Sequence, residues 1–327
     1  MQRERQRDLG GLGHFVLSAH SSPAEERAVP KSPAISICIP AYRAERYLGE
    51  TLASVQAQSF ADWELIVVED GSRDGTEALV RDFTARVAQP VHFLRHEVNR
   101  GLTVTRNTAI AAARAAWIAI LDSDDLWTAE HLATCVGRAR AGDAELIHGG
   151  SVLFDSASGR DLEVRAPDPQ TVAEFPRSLF DNRYVVQPSS VLLAKSLWER
   201  VGGFNPMFSH VEDREMWLRC ARAGGRFAYT GRETCRYRKH GAAMSTESAA
   251  MAEASARVLD QHLDWDAVPG ELRRRLVAEA WAGAARLRWR SEPDVAREHF
   301  RRACAVEWRA RWWLHGLLCA LKAPSAS

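Results

Sequence analysis

The chain has 327 residues, a formal net charge of +1 and 46% hydrophobic residues. This length suits one large domain or two ordinary ones, and the near-zero charge gives no overall case for a nucleic-acid partner. No run approaches the roughly 18 consecutive apolar residues of a membrane-spanning helix. The six cysteines are scattered without a CxxC pair, which favours a reduced, cytoplasmic protein.

The first 33 residues are predicted to be a disordered lead. Positions 2 to 8 are mostly charged, and three prolines lie between residues 21 and 33. The segment GLGHFVLSAH is too short and too polar for the apolar core of a signal peptide. We therefore expect folding to begin at about residue 34.

Four apolar residues predict a short buried strand: Ile35, Ile37, Cys38 and Ile39. We expect Pro40 to end this strand because proline lacks an amide donor. Apolar residues then recur at helical spacing over residues 48–55, so a helix is expected to follow the strand.

A second strand is predicted at residues 65–68, where the apolar run ends in Glu69 and Asp70. The turn DGSRDG then leads into a helix. Its spacing of oxygen ligands imitates a calcium loop, but Arg81 occupies the position that needs a bidentate acid. A calcium site is therefore disfavoured.

After a third strand at residues 91–94 and an alanine-rich helix, the stretch WIAILDSDDLW combines an apolar run with three acids. Asp122, Asp124 and Asp125 fall where a buried strand would leave its sheet. Side chains alternate along an extended segment, so Asp122 and Asp124 should point the same way, and Asp125 is expected to start the next helix. Two carboxylates on one side suit a divalent cation that itself holds phosphate.

Strands that alternate with helices predict an α/β fold with a mostly parallel, Rossmann-like sheet flanked by helices. Ligands of such sheets bind at the carboxyl ends of the strands. Three segments at predicted strand ends carry candidate residues: 40–42, 69–70 and 122–124. The sequence therefore predicts a site at this edge.

Beyond residue 127 the pattern predicts strands at 145–154 and 191–193, a helix at 210–225 and a strand-like segment that ends near His240. From residue 248 the chain is helical in character. We expect a catalytic domain at 34–247 and a helical C-terminal extension at 248–327.

Six segments between residues 34 and 245 resemble, in the expected order, those of glycosyltransferase family 2, whose members have the GT-A fold. They are IPAYRAERYL, VVEDGSRDGT, NRGLTVTRN, LDSDDLW, VEDREMWLRCA and YRKHGAAMS. The resemblance implies an inverting, metal-dependent transfer of sugar from a nucleotide-diphospho-sugar, expected to be a UDP-sugar. The implied acceptor is a glycan or lipid-linked saccharide in surface polysaccharide biosynthesis.

The resemblance also implies donor-binding residues. Pro40 and Tyr42 match the loop that packs against the nucleoside, with Glu45 close by. Asp70 matches the acid that hydrogen-bonds the base, whereas the family more often has aspartate where this chain has Glu69.

Arg106 and Asn107 match an arginine–asparagine pair beside the donor site, with tethering of their helix to the sheet as the structural alternative. Asp122 and Asp124 match the Asp-x-Asp motif. This implies that Asp122 lies near the ribose and that Asp124 holds Mn²⁺ or Mg²⁺ with the diphosphate.

His240 matches a histidine that completes the metal or diphosphate site, and a loop histidine with local hydrogen bonds is the alternative. The implied metal ligands are thus Asp124, Asp122 and His240. Such a cation neutralises charge on the departing nucleoside diphosphate.

Asp213 matches the catalytic base, and Glu212 is the second candidate. An inverting transfer needs a carboxylate that takes the proton of the acceptor hydroxyl. The alternative is that these acids cap a helix and complement its dipole, and both roles are compatible.

Residues 308–322 are rich in Trp, Leu and Arg, which fits a helix at a membrane interface and a peripheral position at the inner face of the cell membrane. Packing on the catalytic domain or in a dimer contact is the open alternative.

The residues leave two alternative functions to compare with sugar transfer. A nucleotidyltransferase should carry a glycine- and lysine/arginine-rich loop after the first strand, which PAYRAERYL is not. A nucleotide-sugar-binding or scaffold protein without turnover would need none of four residues that this chain has: Asp122, Asp124, Asp213 and His240.

Overall fold

The computed structural model describes residues 32–240 and 248–322. Almost all of the predicted disordered lead, 1–33, lies outside the described residues, and so does the stretch 241–247 that precedes the predicted domain boundary. Residues from Ser32 onward belong to one compact unit.

The strands of the described part are β1 (Ile35–Ala41), β2 (Trp63–Glu69), β3 (Val91–Arg95), β4 (Trp117–Ile120), β5 (Leu126–Trp127), β6 (Leu146–Asp155), β7 (Asp161–Arg165), β8 (Val191–Ala194) and β9 (Phe227–Lys239). The helices up to β9 are α1 (Leu48–Gln56), α2 (Thr76–Thr84), α3 (Leu102–Ala112), α4 (His131–Ala139), α5 (Pro169–Ala173), α6 (Arg177–Phe180), α7 (Lys195–Val201) and α8 (Glu212–Arg222). Four further helices follow β9: α9 (Ser248–Asp260), α10 (Gly270–Arg288), α11 (Pro293–Val306) and α12 (Ala310–Lys322).

The strands form one sheet in the order β3-β2-β1-β4-β8-β6-β9-β5, with β7 paired to β6. The first four strands run parallel. The direction reverses between β4 and β8, which pair antiparallel, and β6 then runs parallel to β9. A sheet flanked by helices, with helices at the C-terminal end, confirms the predicted fold class, although the antiparallel pairs of the later strands make the sheet mixed and not mostly parallel.

The prediction that Pro40 ends the first strand is wrong. β1 continues to Ala41, and Pro40 is in register with Val68 of β2. Leu121 donates its amide proton to the carbonyl oxygen of Cys38, so Cys38 faces β4, and Pro40, two residues on, faces the same side. β4 pairs with β1 only as far as Cys38, so the missing amide of Pro40 breaks no ladder bond there.

Both faces of the sheet are buried. On one face, α1, α2 and α4 contribute apolar residues such as Leu48, Val80 and Leu132. On the other face, α3, α8 and the C-terminal helices share a core that includes Trp217 and Trp281. Burial of a large apolar side chain contributes about 1.5–3 kcal/mol, so the C-terminal helices are a structural part of the described fold.

All six cysteines are free thiols, as the reduced state predicts. No helix within the described ranges is both long and apolar enough to cross a bilayer.

Candidate active site

The predicted site residues converge on the carboxyl edge of β1, β2 and β4. A cavity of about 740 Å³ opens between the loops that follow β1 and β2. A second cavity, of about 380 Å³, lies beside β4 and the start of α8 and is lined by Arg106, Asp122 and Asp213, among others. The site therefore has two compartments, the first cavity and the second cavity.

The first cavity has walls held by reciprocal hydrogen bonds between two loops. The amide of Glu45 donates to Asp74 Oδ2 at 3.0 Å, and the amide of Gly75 donates to Glu45 Oε2 at 3.1 Å. Tyr42 lies on the cavity wall with 44% of its surface exposed, so its ring is available for stacking. Pro40 is buried in β1 beneath this loop.

Gly71 lets the turn after β2 pass close to the neighbouring loop. Its φ of +76° lies in the region that favours glycine, and a Cβ there would lie 2.4 Å from the backbone of Val98. Glu69, fully buried, accepts from the amide and hydroxyl of Ser72 and from Arg95 Nε at 2.9 Å. Its longer side chain thus holds the turn together.

Asp70 is buried, and both carboxylate oxygens have protein partners. Oδ1 lies 2.7 Å from His96 Nδ1 and accepts from the amide of Arg100, while Oδ2 accepts from the amide of Gly101. Asp70 therefore anchors the loop that begins α3. Its predicted contact with a nucleobase stays a prediction.

Arg106 is the link between the two acidic parts of the site. Its guanidinium, 2% exposed, donates to Glu212 Oε1 at 2.5 Å and to both carboxylate oxygens of Asp122 at 2.7 and 2.9 Å. Burial would lower the pKa of Arg106, but the negative charges of Asp122 and Glu212 hold that pKa above its ordinary value. One buried cation thus fixes a residue after β4 and a residue at the start of α8.

The side chain of Asn107 does not make the helix-to-sheet tether that was the structural alternative for this pair. Its side chain donates to the carbonyl of Phe204 at 2.7 Å and accepts from the amide of Phe204 at 2.9 Å. The contact holds α3 to the loop before α8, rather than to the sheet.

Asp124 and His240 come together although 116 positions separate them. His240 Nε2 lies 2.9 Å from Asp124 Oδ2. Burial, and then the charge of Asp122, raises the pKa of Asp124. Asp122 itself is engaged by Arg106, so Asp124 and His240 are the pair best placed for a cation.

A divalent cation at this edge would have few protein ligands. The described residues contain no group of three or more His, Cys, Asp or Glu side chains arranged to hold a metal ion. Mg²⁺ at phosphate sites uses one or two protein carboxylates and takes its other ligands from substrate phosphates and water. The pair Asp124 and His240 fits such a shared site.

The prediction that Asp125 starts the following helix is wrong, because α4 begins at His131. Asp125 is fully buried, accepts from Ser189 Oγ at 2.6 Å and from the amide of Arg238 at 2.9 Å. Burial, and then its acidic neighbours, raises its pKa well above the ordinary value. The Ser189 hydroxyl also accepts from the amide of Asp122 at 3.0 Å, so Asp125 and Ser189 together shape the acidic turn.

Arg238 is a positioning residue that the sequence analysis missed. It donates to the carbonyl of Asp124 at 2.7 Å and to Glu50 Oε2 at 2.7 Å. Its guanidinium lies between the rings of Tyr47 and Phe154, at 4.7 and 4.8 Å from their centroids. The only available signal was its place two residues before the candidate His240.

The start of α8 presents the two candidate catalytic acids. The preceding residue, Val211, has a φ of +53°, which strains a β-branched residue by about 1–3 kcal/mol. Glu212 turns to Arg106, whereas the side-chain hydrogen bond of Asp213 is with the amide of Arg214 at 2.7 Å. Burial, and then the charge of Glu212, raises the pKa of Asp213 to about 6.

A model of the family described as glycosyl transferase family 2 matches residues 36–200. That span is half of the chain. The chain belongs to glycosyl transferase family 2. It is therefore a glycosyltransferase, and the nucleotidyltransferase alternative is set aside.

Two relatives of this family 2 chain are bacterial proteins. It is 37% identical over 100 residues to TuaG of Bacillus subtilis (strain 168), whose name assigns it to teichuronic acid biosynthesis; the match covers 31% of this chain and 39% of that relative. It is 28% identical over 190 residues to UDP-Glc:alpha-D-GlcNAc-diphosphoundecaprenol beta-1,3-glucosyltransferase WfgD of Escherichia coli, over 56% of this chain and 68% of that one.

Two solved structures share the fold of this family 2 chain. S. aureus TarS 1–349 in complex with UDP aligns with a TM-score of 0.63 and 16% identity over 83% of this chain and 82% of TarS. Mannosyltransferase PcManGT from Pyrobaculum calidifontis, in complex with GDP-Man and Mn²⁺, aligns with a TM-score of 0.59 and 16% identity over 90% and 87%. At these identities the likeness establishes the GT-A fold alone.

Proposed function

We propose that this glycosyltransferase is inverting and depends on a divalent cation, and that it uses a UDP-sugar. The observation that carries the proposal is the arrangement at the sheet edge: Asp124 with His240, and Asp122 joined through Arg106 to the start of α8. Complexes of fold neighbours with UDP and with GDP-Man and Mn²⁺ support a nucleotide-sugar and a cation.

The first cavity is assigned to the nucleoside and the second to the reacting sugar and the acceptor. Tyr42 and Glu45 lie on the first cavity, Asp122 and Arg106 line the second, and Pro40 and Asp70 support the loops around the first. Asp124 and His240 would hold Mn²⁺ or Mg²⁺, which when bound neutralises charge on the leaving diphosphate.

Asp213 is assigned as the base. Its carboxylate takes the proton from the acceptor hydroxyl as that oxygen attacks the sugar carbon from the side opposite the diphosphate. Glu212 is assigned a positioning role because its carboxylate is bound by Arg106. The left-handed Val211 fixes where the helix begins and so aims both acids.

The acceptor is proposed to be a glycan or lipid-linked saccharide in surface polysaccharide biosynthesis at the cytoplasmic face. The names of TuaG and WfgD support this class. The exposed aromatic and apolar residues of segment 308–322 support a peripheral position on the membrane.

Replacing Asp124 by asparagine is expected to remove the Mn²⁺-dependent part of UDP binding, because the neutral amide is a poor ligand for a hard cation. We expect the affinity for UDP in Mn²⁺ to fall about tenfold or more. Isothermal titration of UDP with Mn²⁺ and with EDTA measures this difference. The matched control is Asp82→Asn on the exposed face of α2, and equal Mn²⁺ dependence in both variants would remove Asp124 from the cation site.

The pH profile of UDP-sugar hydrolysis is expected to have an acid limb near pH 6. The pKa of Asp213 is raised to about 6, so the carboxylate is protonated as the pH falls through that value. The base needs its ionised form, and kcat/KM, which follows the pKa of the free enzyme, should therefore fall about tenfold per pH unit below the limb and level off above it. An acid limb near pH 4 would argue against Asp213 as the base.

A further inference from the structure

The last helix presents two opposite faces. Trp312 and Cys319 are buried, and the ring of His315 stacks on Phe300 of α11 at 5.5 Å. One side of α12 is therefore packed against α11.

The other side of α12 is apolar and uncovered. Its residues recur at spacings of one and four, which places them on a single stripe of the helix. Trp313 is 54% exposed, Leu314 53%, Leu317 44% and Leu318 38%. Trp308, just before the helix, is 68% exposed. We call these five residues the α12 face.

The charge of the helix is of one sign. The segment ARWWLHGLLCALK contains Arg311 and Lys322 and has no aspartate or glutamate. Arg311 is exposed, and its guanidinium lies 5.4 Å from the Trp312 ring. Exposed tryptophans and leucines on one stripe, with arginine beside it, match a helix that lies in the headgroup region of an anionic bilayer.

We propose that the α12 face docks on an anionic lipid surface and holds the enzyme there without spanning the bilayer. The inference rests on the proposed function only in placing the acceptor reaction at a membrane. It deepens that proposal by naming the surface and the charge of its partner. α12 has 13 residues, fewer than the roughly 20 that a helix needs to span a bilayer, so attachment through this face is interfacial.

The test is flotation of the full chain with vesicles. Wild-type protein should float with vesicles of phosphatidylcholine and phosphatidylglycerol and bind weakly to phosphatidylcholine alone, with binding that weakens as salt screens the charges. Trp313→Ala with Leu317→Ala should lower partitioning about tenfold or more. The matched control is Leu162→Ala with Val164→Ala, two exposed apolar residues of β7, which should float as wild type does.

Hydrolysis of the UDP-sugar is measured on every variant, because the α12 face lies outside the assigned catalytic machinery and should leave it unchanged. Wild-type protein that never floats, or an α12 double variant that floats equally well, overturns the proposal. If the wild-type protein does not float and is a dimer, while the α12 double variant is a monomer, the proposal is overturned in favour of a second copy of the chain on this face. Hydrolysis that still depends on Asp213 would then leave the proposed function standing.

Discussion

Replacing Asp213 by asparagine is expected to lower kcat for UDP-sugar hydrolysis by about 10²–10⁴-fold, the range that a positioned general base contributes. The amide keeps the shape of the side chain but cannot accept the proton. UDP should bind as it does to the wild type, because the contacts assigned to the nucleotide lie on other elements. Steady-state kinetics and UDP titration measure the two effects separately.

The variant Glu212→Gln tests whether the base is Asp213 or the neighbouring Glu212. Glutamine can still accept one hydrogen bond from Arg106 but loses the charge. We therefore expect Glu212→Gln to lower the free energy of unfolding, and to lower kcat less than Asp213→Asn does. If kcat fell more in Glu212→Gln than in Asp213→Asn, Glu212 would be the base and Asp213 the positioning residue. Loss of UDP binding in Asp213→Asn would indicate a structural role for that acid.

Replacing Arg106 by methionine is expected to lower the free energy of unfolding by about 3–5 kcal/mol. The change leaves Asp122 and Glu212 without the cation that joins them in a buried environment. Arg106→Lys should recover part of the loss, because lysine restores the charge but not the forked geometry that reaches both acids. Denaturant unfolding of the wild type and the two variants, monitored by circular dichroism, measures these free energies of unfolding.

The matched control is Arg183→Met. Arg183 also joins two acids, Glu174 and Asp181, but its side chain is 41% exposed, so we expect its replacement to cost much less stability than that of Arg106. A cost for Arg106→Met no larger than that of Arg183→Met would show that the buried bridge contributes little. In the triple variant Arg106→Met, Asp122→Asn, Glu212→Gln, removal of both charges should recover stability relative to Arg106→Met alone.

The parallel half of the sheet was predictable because its strands are short, largely apolar runs, and β2 and β4 end close to acidic residues. The predicted strand at 65–68 lies within β2, and that at 91–94 within β3. The family resemblance, confirmed by the match to residues 36–200, predicted more of the fold than periodicity did.

Contacts between distant parts of the chain were not predictable from periodicity, and the family resemblance pointed only to those among its own motif residues. Arg238 and Glu50 are 188 positions apart, and Asp125 meets the amide of Arg238 at a separation of 113. Periodicity reports which face of an element is apolar and carries no information about such pairs. Asp125 was assigned to a helix start for this reason, since an acid after a strand resembles a cap until its buried partners are known.

The reversal of strand direction between β4 and β8 divides the chain for protein engineering. The residues assigned to the nucleoside precede β5, whereas the start of α8 and most of the second cavity come from residues after 160. A chimera that exchanges the later segment with that of a relative could therefore change the acceptor while keeping the donor. Arg106 and Asp124 set the conditions for such an exchange, because the incoming segment must supply a carboxylate at the position of Glu212 and a histidine at the position of His240.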